Sequence, residues 1–237
     1  MDNAVYATLT RQSGLLAEMR VVANNIANTA TTGYRAEGVI FSEYIQALDG
    51  EAPSLSMATA RVRETSLAQG GLTQTNGTFD LAIQGDGFFM VDTPQGQRLT
   101  RAGAFTPNEN GDLVSPDGAR VLDPGGAPVF VPTGAGQIAI APDGTISAAG
   151  QPVGQIGMFL PADPNDLVRE DGVRFRADAG VVPAEGRMLQ GFVEESNVDA
   201  VMQITRMIEV QRAYELGQSF MEREDQRVRG LIQSINA

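Results

Sequence analysis

Residues 79–92, Phe-Asp-Leu-Ala-Ile-Gln-Gly-Asp-Gly-Phe-Phe-Met-Val-Asp, place two short apolar runs on either side of Gly85-Asp86-Gly87. Runs of this length with bulky side chains favour strands, and an Asp-Gly pair favours a tight turn. The stretch therefore predicts strands at 79–83 and 88–92, and it indicates the kind of structure expected for the middle of the chain.

Five further pairs of Asn or Asp with Gly punctuate the middle of the chain. Each is a strong signal for a hairpin or tight turn, and runs at 137–141 and 155–160 are typical of further strands. We therefore expect an antiparallel sandwich or open barrel over residues 75–192. The five pairs are Asn76-Gly77, Asn110-Gly111, Asp117-Gly118, Asp143-Gly144 and Asp171-Gly172.

Proline and glycine separate this middle from the two ends. All 12 prolines lie between Pro53 and Pro183, and 21 of the 27 glycines lie between Gly70 and Gly191. Because proline removes a helix donor and glycine favours irregular backbone, long helices are expected only at the ends. The predicted fold class is α+β, with a long helix on each side of an antiparallel β-rich domain.

The N-terminal segment has seam residues at alternating spacings of four and three, the pattern of a coiled coil with one polar interruption. The pattern ends near Asn28, where short polar side chains compete for backbone hydrogen bonds, and Gly33 completes the stop. Residues 39–48 are expected to form a short helix or an extended arm. The predicted seam consists of Val5, Leu9, Gln12, Leu16, Met19, Ala23 and Ile26.

The C-terminal segment keeps the same alternation and predicts a helix over 198–235, about 57 Å long at roughly 1.5 Å per residue. Ser196 is expected to cap this helix, with Asp199 near its positive end. Polar residues inside both seams weaken a lone coiled coil and suit a surface that selects partners. The predicted seam consists of Ile204, Met207, Gln211, Tyr214, Gln218, Met221, Asp225, Val228, Ile232 and Ile235.

These patterns divide the chain into four predicted parts. Residues 1–45 are an N-terminal helical assembly segment, and residues 46–74 are an extended linker arm. Residues 75–192 are the β-rich domain, and residues 193–237 are the C-terminal helical assembly segment. We expect both helical segments to be largely disordered or loosely held in the free monomer, because an interrupted seam buries little surface without neighbours.

Composition excludes several functions. The 237 residues include 17 basic and 29 acidic groups, for a formal net charge of −12, and contain no His, Cys, Trp or Lys. The missing residue types exclude a Ser-His-Asp triad, a cysteine nucleophile, a Schiff-base or Walker A lysine and a His/Cys zinc site. The acidic balance argues against nucleic acid or an anionic membrane surface as partners.

The remaining option for catalysis is a pair of carboxylates. Candidates occur at Glu170-Asp171, Glu194-Glu195 and 222–225, and the last group is typical of a solvated helix face. Nothing in the sequence pairs one carboxylate in an apolar environment with a second in a polar one, as a glycosidase requires. We therefore predict no catalytic residue.

Two other motifs are poor matches to binding sites. Residues 106–117 loosely follow a calcium loop, but Thr106 and Asp117 stand where such a loop requires Asp and Glu. Gly85 and Gly87 do not complete a dinucleotide fingerprint, because Met90 occupies the position of the third glycine. We therefore predict neither a metal nor a cofactor.

The sequence contains no recognisable membrane address. Residues 1–4 lack the basic and apolar regions of a secretory signal, and no run of about 18 apolar residues is present to span a bilayer. We therefore expect a protein without a cleaved signal peptide and without direct membrane insertion.

Three groups of motifs resemble the bacterial flagellar rod and hook proteins, in that family's order and over nearly the whole chain. The N-terminal group is Asn25-Ile26-Ala27-Asn28 followed by Thr32-Gly33-Tyr34-Arg35. The central group comprises residues 80–89, 100–105 and 111–114. The C-terminal group is Glu195-Ser196-Asn197-Val198 followed by Gln211-Arg212-Ala213-Tyr214-Glu215.

Within this family, residues 1–6, the Arg11-Gln12 pair and residues 223–227 look most like a subunit of the proximal rod, and the distal rod is the alternative. The resemblance implies a structural protein whose terminal helices form the inner coiled-coil layer of a tubular axle across the periplasm, transmitting motor torque. It implies self-assembly, other rod proteins as partners and export through the flagellar type III apparatus. A secreted β-rich adhesin or calcium module is the alternative from a different class.

We expect assembly to use the terminal seams together with the N-terminal motif. The predicted interface consists of Val5, Leu9, Leu16, Met19, Asn25, Ile26, Asn28, Gly33, Tyr34, Ile204, Met207, Gln211, Tyr214, Met221, Val228, Ile232 and Ile235.

Overall fold

The computed structural model describes residues 2–46, 55–132, 134 and 136–235. Helix α1 (Asp2–Ala27) and helix α2 (Ala200–Ile235) lie on either side of a β-rich middle along the chain. The strand pairs in this middle are antiparallel throughout the described ranges. The α+β class and the order of helix, β-rich middle and helix are therefore confirmed.

The chain forms two compact units. The helical unit contains residues 1–27, 37–66 and 199–237, and the β-rich unit contains residues 28–36 and 67–198. The boundaries differ from the predicted ones, because residues 28–36 belong to the β-rich unit and the described residues 37–46 and 55–66 belong to the helical unit. Strand pairing explains the second difference, since the predicted linker arm supplies half of a hairpin.

The hairpin of the helical unit consists of β1 (Glu37–Gln46) and β2 (Leu55–Thr65). Of the segment for which a short helix or an arm was expected, residues 39–46 are therefore extended, and residues 47 and 48 lie outside the described residues. A two-stranded hairpin is marginal on its own and needs packing against another element. Residues of α1 provide such a contact, described below.

The predicted cap of α2 is wrong by three residues. The Asp199 carboxylate accepts a hydrogen bond from the Met202 amide at 3.0 Å, so Asp199 occupies the cap position before Ala200. Ser196 instead accepts from the Val198 amide at 3.3 Å. Asp and Ser are both strong N-cap residues, so the sequence alone does not decide which of the two caps the helix when both lie in the segment just before it.

The β-rich unit contains sixteen strands in its described residues, with a short 3-10 turn at Pro164–Asp166. The strands are β3 Leu72–Gln74, β4 Leu81–Gln84, β5 Phe89–Thr93, β6 Gly96–Thr100, β7 Thr106–Pro107, β8 Leu113–Val114, β9 Arg120–Val121, β10 Ile138–Ile140, β11 Thr145–Ala148, β12 Gln151–Gln155, β13 Phe159–Pro161, β14 Leu167–Asp171, β15 Arg174–Ala177, β16 Val181–Pro183, β17 Arg187–Gln190 and β18 Phe192–Glu194.

The largest sheet has seven strands in the order β14-β15-β6-β5-β9-β8-β7. A three-stranded sheet, β10-β11-β12, and the pairs β13-β16, β17-β4 and β18-β3 complete the pairing among the described strands. Four of the six predicted turn pairs join strands that are neighbours in a sheet, because each lies between β7 and β8, β8 and β9, β10 and β11, or β14 and β15.

Strand β5, in the stretch quoted first, is buried on both faces. Successive side chains of a strand point to opposite faces. Phe89 and Val91 belong to one apolar cluster with Leu81 and Ile83, while Phe88 and Met90 belong to a second cluster with Leu99 and Phe175. The unit therefore has a core on each side of its central strand.

One predicted strand is wrong. The run 155–160 straddles the end of β12 and the start of β13, and residues 156–158 lie between them. The Ile156 amide bonds to the Gly144 carbonyl at 2.9 Å, and the Gly157 amide bonds to the Leu122 carbonyl at 3.0 Å. The run changes partners at this point, and its apolar pattern carries no signal of that change.

None of the described helices is long and apolar enough to cross a membrane.

Candidate assembly interface

Helices α1 and α2 are antiparallel neighbours within the helical unit. The Gln12 side-chain amide donates to the Tyr214 carbonyl at 2.9 Å, and the Arg206 guanidinium donates to Glu18 at 2.6 Å. As the residue number rises along α1, its contacts therefore fall along α2. Helices running in opposite directions also place their macrodipoles in opposition.

The residues between the two helices follow the heptad pattern of a coiled-coil seam. Leu15 and Val22 of α1 and Val210 of α2 are buried, and Gly217 leaves room for the Gln12 amide. Among the partly or fully buried positions, those that follow this alternation are Thr8, Gln12, Leu15, Met19, Val22 and Ile26 on α1, and Gln203, Met207, Val210, Tyr214, Gly217, Met221 and Glu224 on α2.

This seam shares every seventh residue with the predicted one and differs at the others. Along α1, Leu15 and Val22 take the places predicted for Leu16 and Ala23, and along α2, Val210 and Gly217 take the places predicted for Gln211 and Gln218. The C-terminal polar interruptions at Gln211, Gln218 and Asp225 therefore lie outside the contact between the helices. The sequence pattern is compatible with both seams, because both alternate spacings of three and four residues and share the same residue in every heptad.

The shift leaves the predicted α1 seam on the surface. Leu9 and Leu16 are 48% and 39% exposed, and Met19 and Ile26, which belong to both readings, are half-buried. On α2, Val201, Ile204 and Ile208 are exposed and lie on the side away from the seam. Several apolar side chains aligned on a helix face are typical of an interaction surface.

An open groove of about 480 Å³ runs along one side of the helix pair. Both apolar and polar side chains line it, including two arginines. The lining residues are Thr8, Arg11, Gln12, Leu15, Ala213, Leu216, Gly217, Phe220 and Arg223.

Asn25 fixes the start of the hairpin to α1. Its side-chain amide donates to the Glu37 carbonyl at 2.8 Å, and its side-chain oxygen accepts from the Glu37 amide at 3.0 Å. The same side chain donates to Gln203 of α2 at 3.3 Å. An asparagine side chain can donate to the carbonyl and accept from the amide of one backbone residue. Asn25 therefore gives Glu37, the first residue of β1, the two hydrogen bonds that a neighbouring strand would otherwise provide.

The β-rich unit brings the N-terminal and C-terminal motifs together. The Gly33 amide donates to the Glu194 carbonyl at 2.7 Å, and the Asn197 amide donates to the Tyr34 carbonyl at 3.2 Å. The Ala36 amide donates to the Asn197 side chain at 2.6 Å. Residues 33–36 and 194–197 thus lie side by side within this unit.

A buried charge cluster lies beneath this junction. One oxygen of Glu194 pairs with Arg35 at 3.0 Å and the other with Arg101 at 3.0 Å, and all three side chains are no more than 3% exposed. The Gly70 amide also donates to Glu194 at 2.9 Å. The Arg101 guanidinium also donates to the carbonyl of Gly85 at 2.6 Å, and the nearby Asp86 carboxylate acts on both arginines in the same direction as Glu194.

Burial and ion pairing oppose each other at both arginines. Loss of water lowers the pKa of the Arg35 guanidinium to about 10, and the nearby Glu194 carboxylate acts in the opposite direction. Burial likewise lowers the pKa of Arg101, again against the effect of Glu194. With a pKa of about 10, Arg35 stays charged at neutral pH, and the stability of the cluster depends on Glu194.

Tyr34 is fully buried and stacked. The guanidinium of Arg169 lies 4.5 Å from the Tyr34 ring and 4.7 Å from the Phe175 ring, between the two aromatic side chains. Arg169 also donates to the Arg35 carbonyl. The N-terminal motif is thereby attached to the seven-stranded sheet through β14 and β15.

Three residues of the predicted assembly interface make contacts within the chain, and their role between subunits stays a prediction. Asn25, Gly33 and Tyr34 are buried, and the hydrogen bonds described above join them to residues of the same chain. Asn28, half-buried, accepts from the Thr31 hydroxyl at 3.1 Å. A recurring motif marks a constrained position, but it does not say whether the constraint comes from the same chain or from a neighbour.

The C-terminal residues predicted for the interface are more accessible. Ile204, Gln211, Val228 and Ile232 are exposed, whereas Met207, Tyr214 and Met221 are half-buried in the seam. The side chains of Val5 and Ile235 lie outside the described residues.

Sequence reasoning noted Glu194 as a candidate carboxylate, but it missed the ion pairs of Glu194 with Arg35 and Arg101 and the inner seam residues Leu15 and Val22. The available signal at Glu194 was a charged residue at the end of the apolar strand β18. A charge that is drawn into a core by its flanking residues needs a partner of opposite sign. The sequence does not reveal which of the many arginines provides it.

Four of the other candidate carboxylates take part in ion pairs. Glu170 pairs with Arg98 and Arg176, Asp171 with Arg174, Glu224 with Arg227 and Asp225 with Arg229. In the loosely calcium-like loop, the Asn108 side-chain oxygen accepts from the amides of Asn110 and Asp112, both at 2.9 Å. Within the described ranges, no group of three or more acidic side chains could hold a metal ion.

Two protein families match parts of the chain, one within the β-rich unit and one over the C-terminal segment. Residues 82–148 match the family described as the flagellar hook protein FlgE/F/G D1 domain. Residues 189–234, which include most of α2, match the flagellar basal body rod FlgEFG protein C-terminal family.

Similarity to individual proteins extends over nearly the whole chain. The flagellar basal-body rod protein FlgF of Caulobacter vibrioides is 37% identical over 99% of this chain and 98% of its own length. FlgF of Mesorhizobium japonicum is 39% identical over 91% of this chain and 90% of its own. The rod protein FlgG of Bacillus subtilis is 31% identical over 98% of both chains.

Proposed function

The chain belongs to the family of flagellar basal-body rod proteins, and we propose that it is a proximal-rod subunit that joins copies of itself and other rod proteins through its terminal helices. Its role is structural. The greater identity to the two FlgF proteins than to FlgG supports the proximal position within the rod.

The observation that carries the proposal is the exposed apolar surface of the helical unit. Leu9 and Leu16 of α1, and Val201, Ile204 and Ile208 of α2, are each at least 39% exposed. Covering an apolar side chain releases about 25 cal/mol for each Å² removed from water. Neighbouring helices in a rod would cover these side chains, and a bundle of such helices would transmit motor torque along the axis.

Export through the flagellar type III apparatus is part of the proposal. Passage through a narrow channel requires an unfolded chain, and this chain has no cysteine that could lock it in a folded state. In this proposal the helices lie on the inside of the rod and the β-rich unit faces outward across the periplasm.

Quantitative mass spectrometry of purified hook–basal bodies tests the assignment. The chain should be present at a few copies per particle, well below the hook subunit. A high copy number would move it to the distal rod, and absence from intact particles would contradict a rod function. A parallel purification from a strain that lacks the gene provides the control, and under the proposal it should yield no intact hook–basal bodies.

The terminal helices are further proposed to order fully only on assembly. Their seam contains Gln12, Gln203 and Glu224, which reduce the apolar surface that one pair can bury. Limited proteolysis of the dilute monomer should therefore cut within residues 2–27 and 200–235 before it cuts the β-rich unit. Termini that resist protease as strongly as the β-rich unit would contradict this account.

A further inference from the structure

A short strap of small residues lies against the buried charge cluster of the β-rich unit. The strap is residues 67–71, Leu-Ala-Gln-Gly-Gly, which precede β3. The Ala68 carbonyl accepts a hydrogen bond from Arg35, and the Gly70 amide donates to Glu194 at 2.9 Å. A Cβ on Gly70 would lie 2.1 Å from a neighbouring backbone oxygen, so the absence of a side chain lets the strap come this close.

The strap separates the cluster from solvent through its backbone. Four of its five residues are exposed, whereas the three charged side chains of the cluster are no more than 3% exposed. The alanine and the two glycines of the strap have little or no side chain to add to the cover. On this side of the unit, a single layer of backbone therefore lies between the buried charges and water.

Asn197 holds the first half of the strap. Its side-chain amide donates to the Ala68 carbonyl at 2.7 Å, and its side-chain oxygen accepts from the Ala36 amide at 2.6 Å. Its own backbone amide donates to the Tyr34 carbonyl at 3.2 Å. One asparagine thus joins the strap to residues 33–36, because its side chain can donate and accept at the same time.

Gln69 and Gly71 hold the second half. The Gln69 side chain donates to the Ile83 carbonyl at 2.8 Å and accepts from the Gly85 amide at 3.2 Å. The Gly71 carbonyl accepts from the Glu195 amide at 2.8 Å. A segment that is held by a few hydrogen bonds near solvent, with little buried apolar surface, opens at a lower free-energy cost than the core.

Two buried donors of the cluster would gain from such an opening. The Nε atoms of Arg35 and Arg101 are buried and have no hydrogen-bond partner among the described residues. A buried donor without a partner carries a desolvation cost that contact with water removes. Opening the strap would therefore break its hydrogen bonds but hydrate these two donors, which reduces the net cost of the open state.

We propose that residues 67–71 open as one unit over the buried charge cluster and admit water to Arg35 and Arg101, while the rest of the β-rich unit stays folded. Asn197 is the latch, because its side chain ties the strap to residues 33–36. Opening of the strap is then the first step in the unfolding of this unit. The inference concerns the free chain and does not depend on the proposed rod function.

Amide hydrogen exchange of the full chain, followed by NMR, measures the opening residue by residue. The amides of Gly70, Gly85 and Glu195 take part in the bonds that hold the strap, whereas those of Leu81 and Val129 are bonded within the core. We expect one common opening constant for the three strap bonds, at least tenfold larger than that of the two core amides. Strap amides that exchange as slowly as core amides would overturn the proposal.

The variant Asn197→Asp tests the latch. It keeps the acceptor for the Ala36 amide but places an oxygen against the Ala68 carbonyl, so the bond to the strap is lost. The strap amides should exchange at least tenfold faster than in the wild type, and the core amides should stay within twofold. The matched control is Asn110→Asp, which makes the same change of charge at an exposed side chain elsewhere in this unit and should leave both groups within twofold. An equal rise at strap and core, or no rise at the strap, would contradict a latch.

Chemical modification of arginine tests whether opening exposes the cluster. A dicarbonyl reagent is applied to both variants, and the modified positions are located by peptide mass spectrometry. Arg35 and Arg101 should react at least fivefold faster in Asn197→Asp than in Asn110→Asp, while Arg98, which is 8% exposed and lies outside the cluster, should react equally in both. Equal rates at all three arginines would overturn the proposal.

A second variant keeps the test decisive if Asn197→Asp does not fold. Gln69→Ala removes the hydrogen bonds of an exposed side chain in the middle of the strap and leaves residues 194–197 unchanged. The amides of Gly70 and Glu195 should then exchange at least tenfold faster, with core amides within twofold. Unchanged exchange at Gly70 and Glu195 would show that the strap does not open as a unit.

Discussion

Gly33 adopts a left-handed backbone conformation directly against the backbone of Ala102, at the entrance to the β-rich unit. Its φ is +70°, and a Cβ there would overlap the Ala102 nitrogen. Gly118 has a comparable φ of +90° but open space around it. Substituting Gly118 therefore measures the free-energy cost of a side chain in the left-handed conformation, and substituting Gly33 adds the cost of the steric overlap with Ala102.

Substitution of these glycines should have unequal effects. Gly118→Ala should lower the free energy of unfolding by about 1 kcal/mol, because an alanine in the left-handed region is strained. Gly33→Ala should cost at least about 2 kcal/mol more, because the rigid backbone of Ala102 must also move. Urea unfolding followed by circular dichroism measures both, and equal losses would contradict the contact at Gly33.

Glu194 is the residue on which the buried charge cluster depends. Glu194→Gln should lower the free energy of unfolding by about 3–5 kcal/mol, because Arg35 and Arg101 would stay buried without a compensating charge. Glu195→Gln is the control, since Glu195 is exposed and should change stability by less than about 0.5 kcal/mol. Similar effects of the two substitutions in a urea titration would show that the cluster contributes little.

Motifs in the sequence drew attention to Gly33 and Tyr34, but the partners of this segment could not be predicted. Arg35 and Glu194 are separated by 159 positions, and many other acidic residues could neutralise an arginine. Pairing depends on which strands become neighbours. Strand order in a sheet follows from the packing of the whole unit and leaves no local signal.

At the level of elements, periodicity predicted both helices but not which of their faces would meet. Leu15 and Leu16 are adjacent, as are Val22 and Ala23, so α1 carries two apolar edges about 100° apart. The structure uses the Leu15 edge against α2 and leaves the Leu16 edge exposed. The choice depends on what the partner helix offers, and a small residue at Gly217 favours the observed face.

The two edges should respond differently to a charge. Leu15→Glu should separate α1 from α2 and reduce the helical signal of the monomer, because an unpaired carboxylate would enter the seam. Leu16→Glu should leave the monomer's circular dichroism unchanged and prevent its incorporation into hook–basal bodies. Normal incorporation of the Leu16 variant would mean that this edge faces no neighbour.

Turn chemistry predicted the β-rich unit well where strands are joined by tight hairpins. Asn110-Gly111 and Asp143-Gly144 both lie between paired strands, with Gly111 and Gly144 at φ of +87° and +86°. The pairings β17-β4 and β18-β3 join residues more than 100 positions apart. Short-range signals carry no information about such pairs, so the sheet order could not be predicted.

Charge is distributed unevenly over the whole molecule. The formal net charge is −12, and both terminal helices are neutral, so the entire excess of acidic residues lies outside them, in residues 28–199. Copies that meet through their helices therefore have neutral contact surfaces while the rest of the molecule repels its neighbours over a distance set by salt.

Salt should consequently strengthen self-association. Raising NaCl from about 50 to 300 mM shortens the screening length, so the dissociation constant of the full chain should fall several-fold. Sedimentation velocity over a concentration series measures the change. A dissociation constant that rises with salt would indicate that ion pairs hold the copies together and would contradict a contact through neutral helices.

The junction between residues 33–36 and 194–197 also determines when the β-rich unit can finish folding. The β-rich unit cannot be completed until Glu194 is available to Arg35, and 159 positions of chain separate them. Contacts between residues so distant in sequence form slowly, because a large loop must close first. A chain that emerges from a channel with either end leading therefore stays incomplete until most of it has passed. The same bonds that join the two motifs delay the finished unit until nearly the whole polypeptide has been delivered.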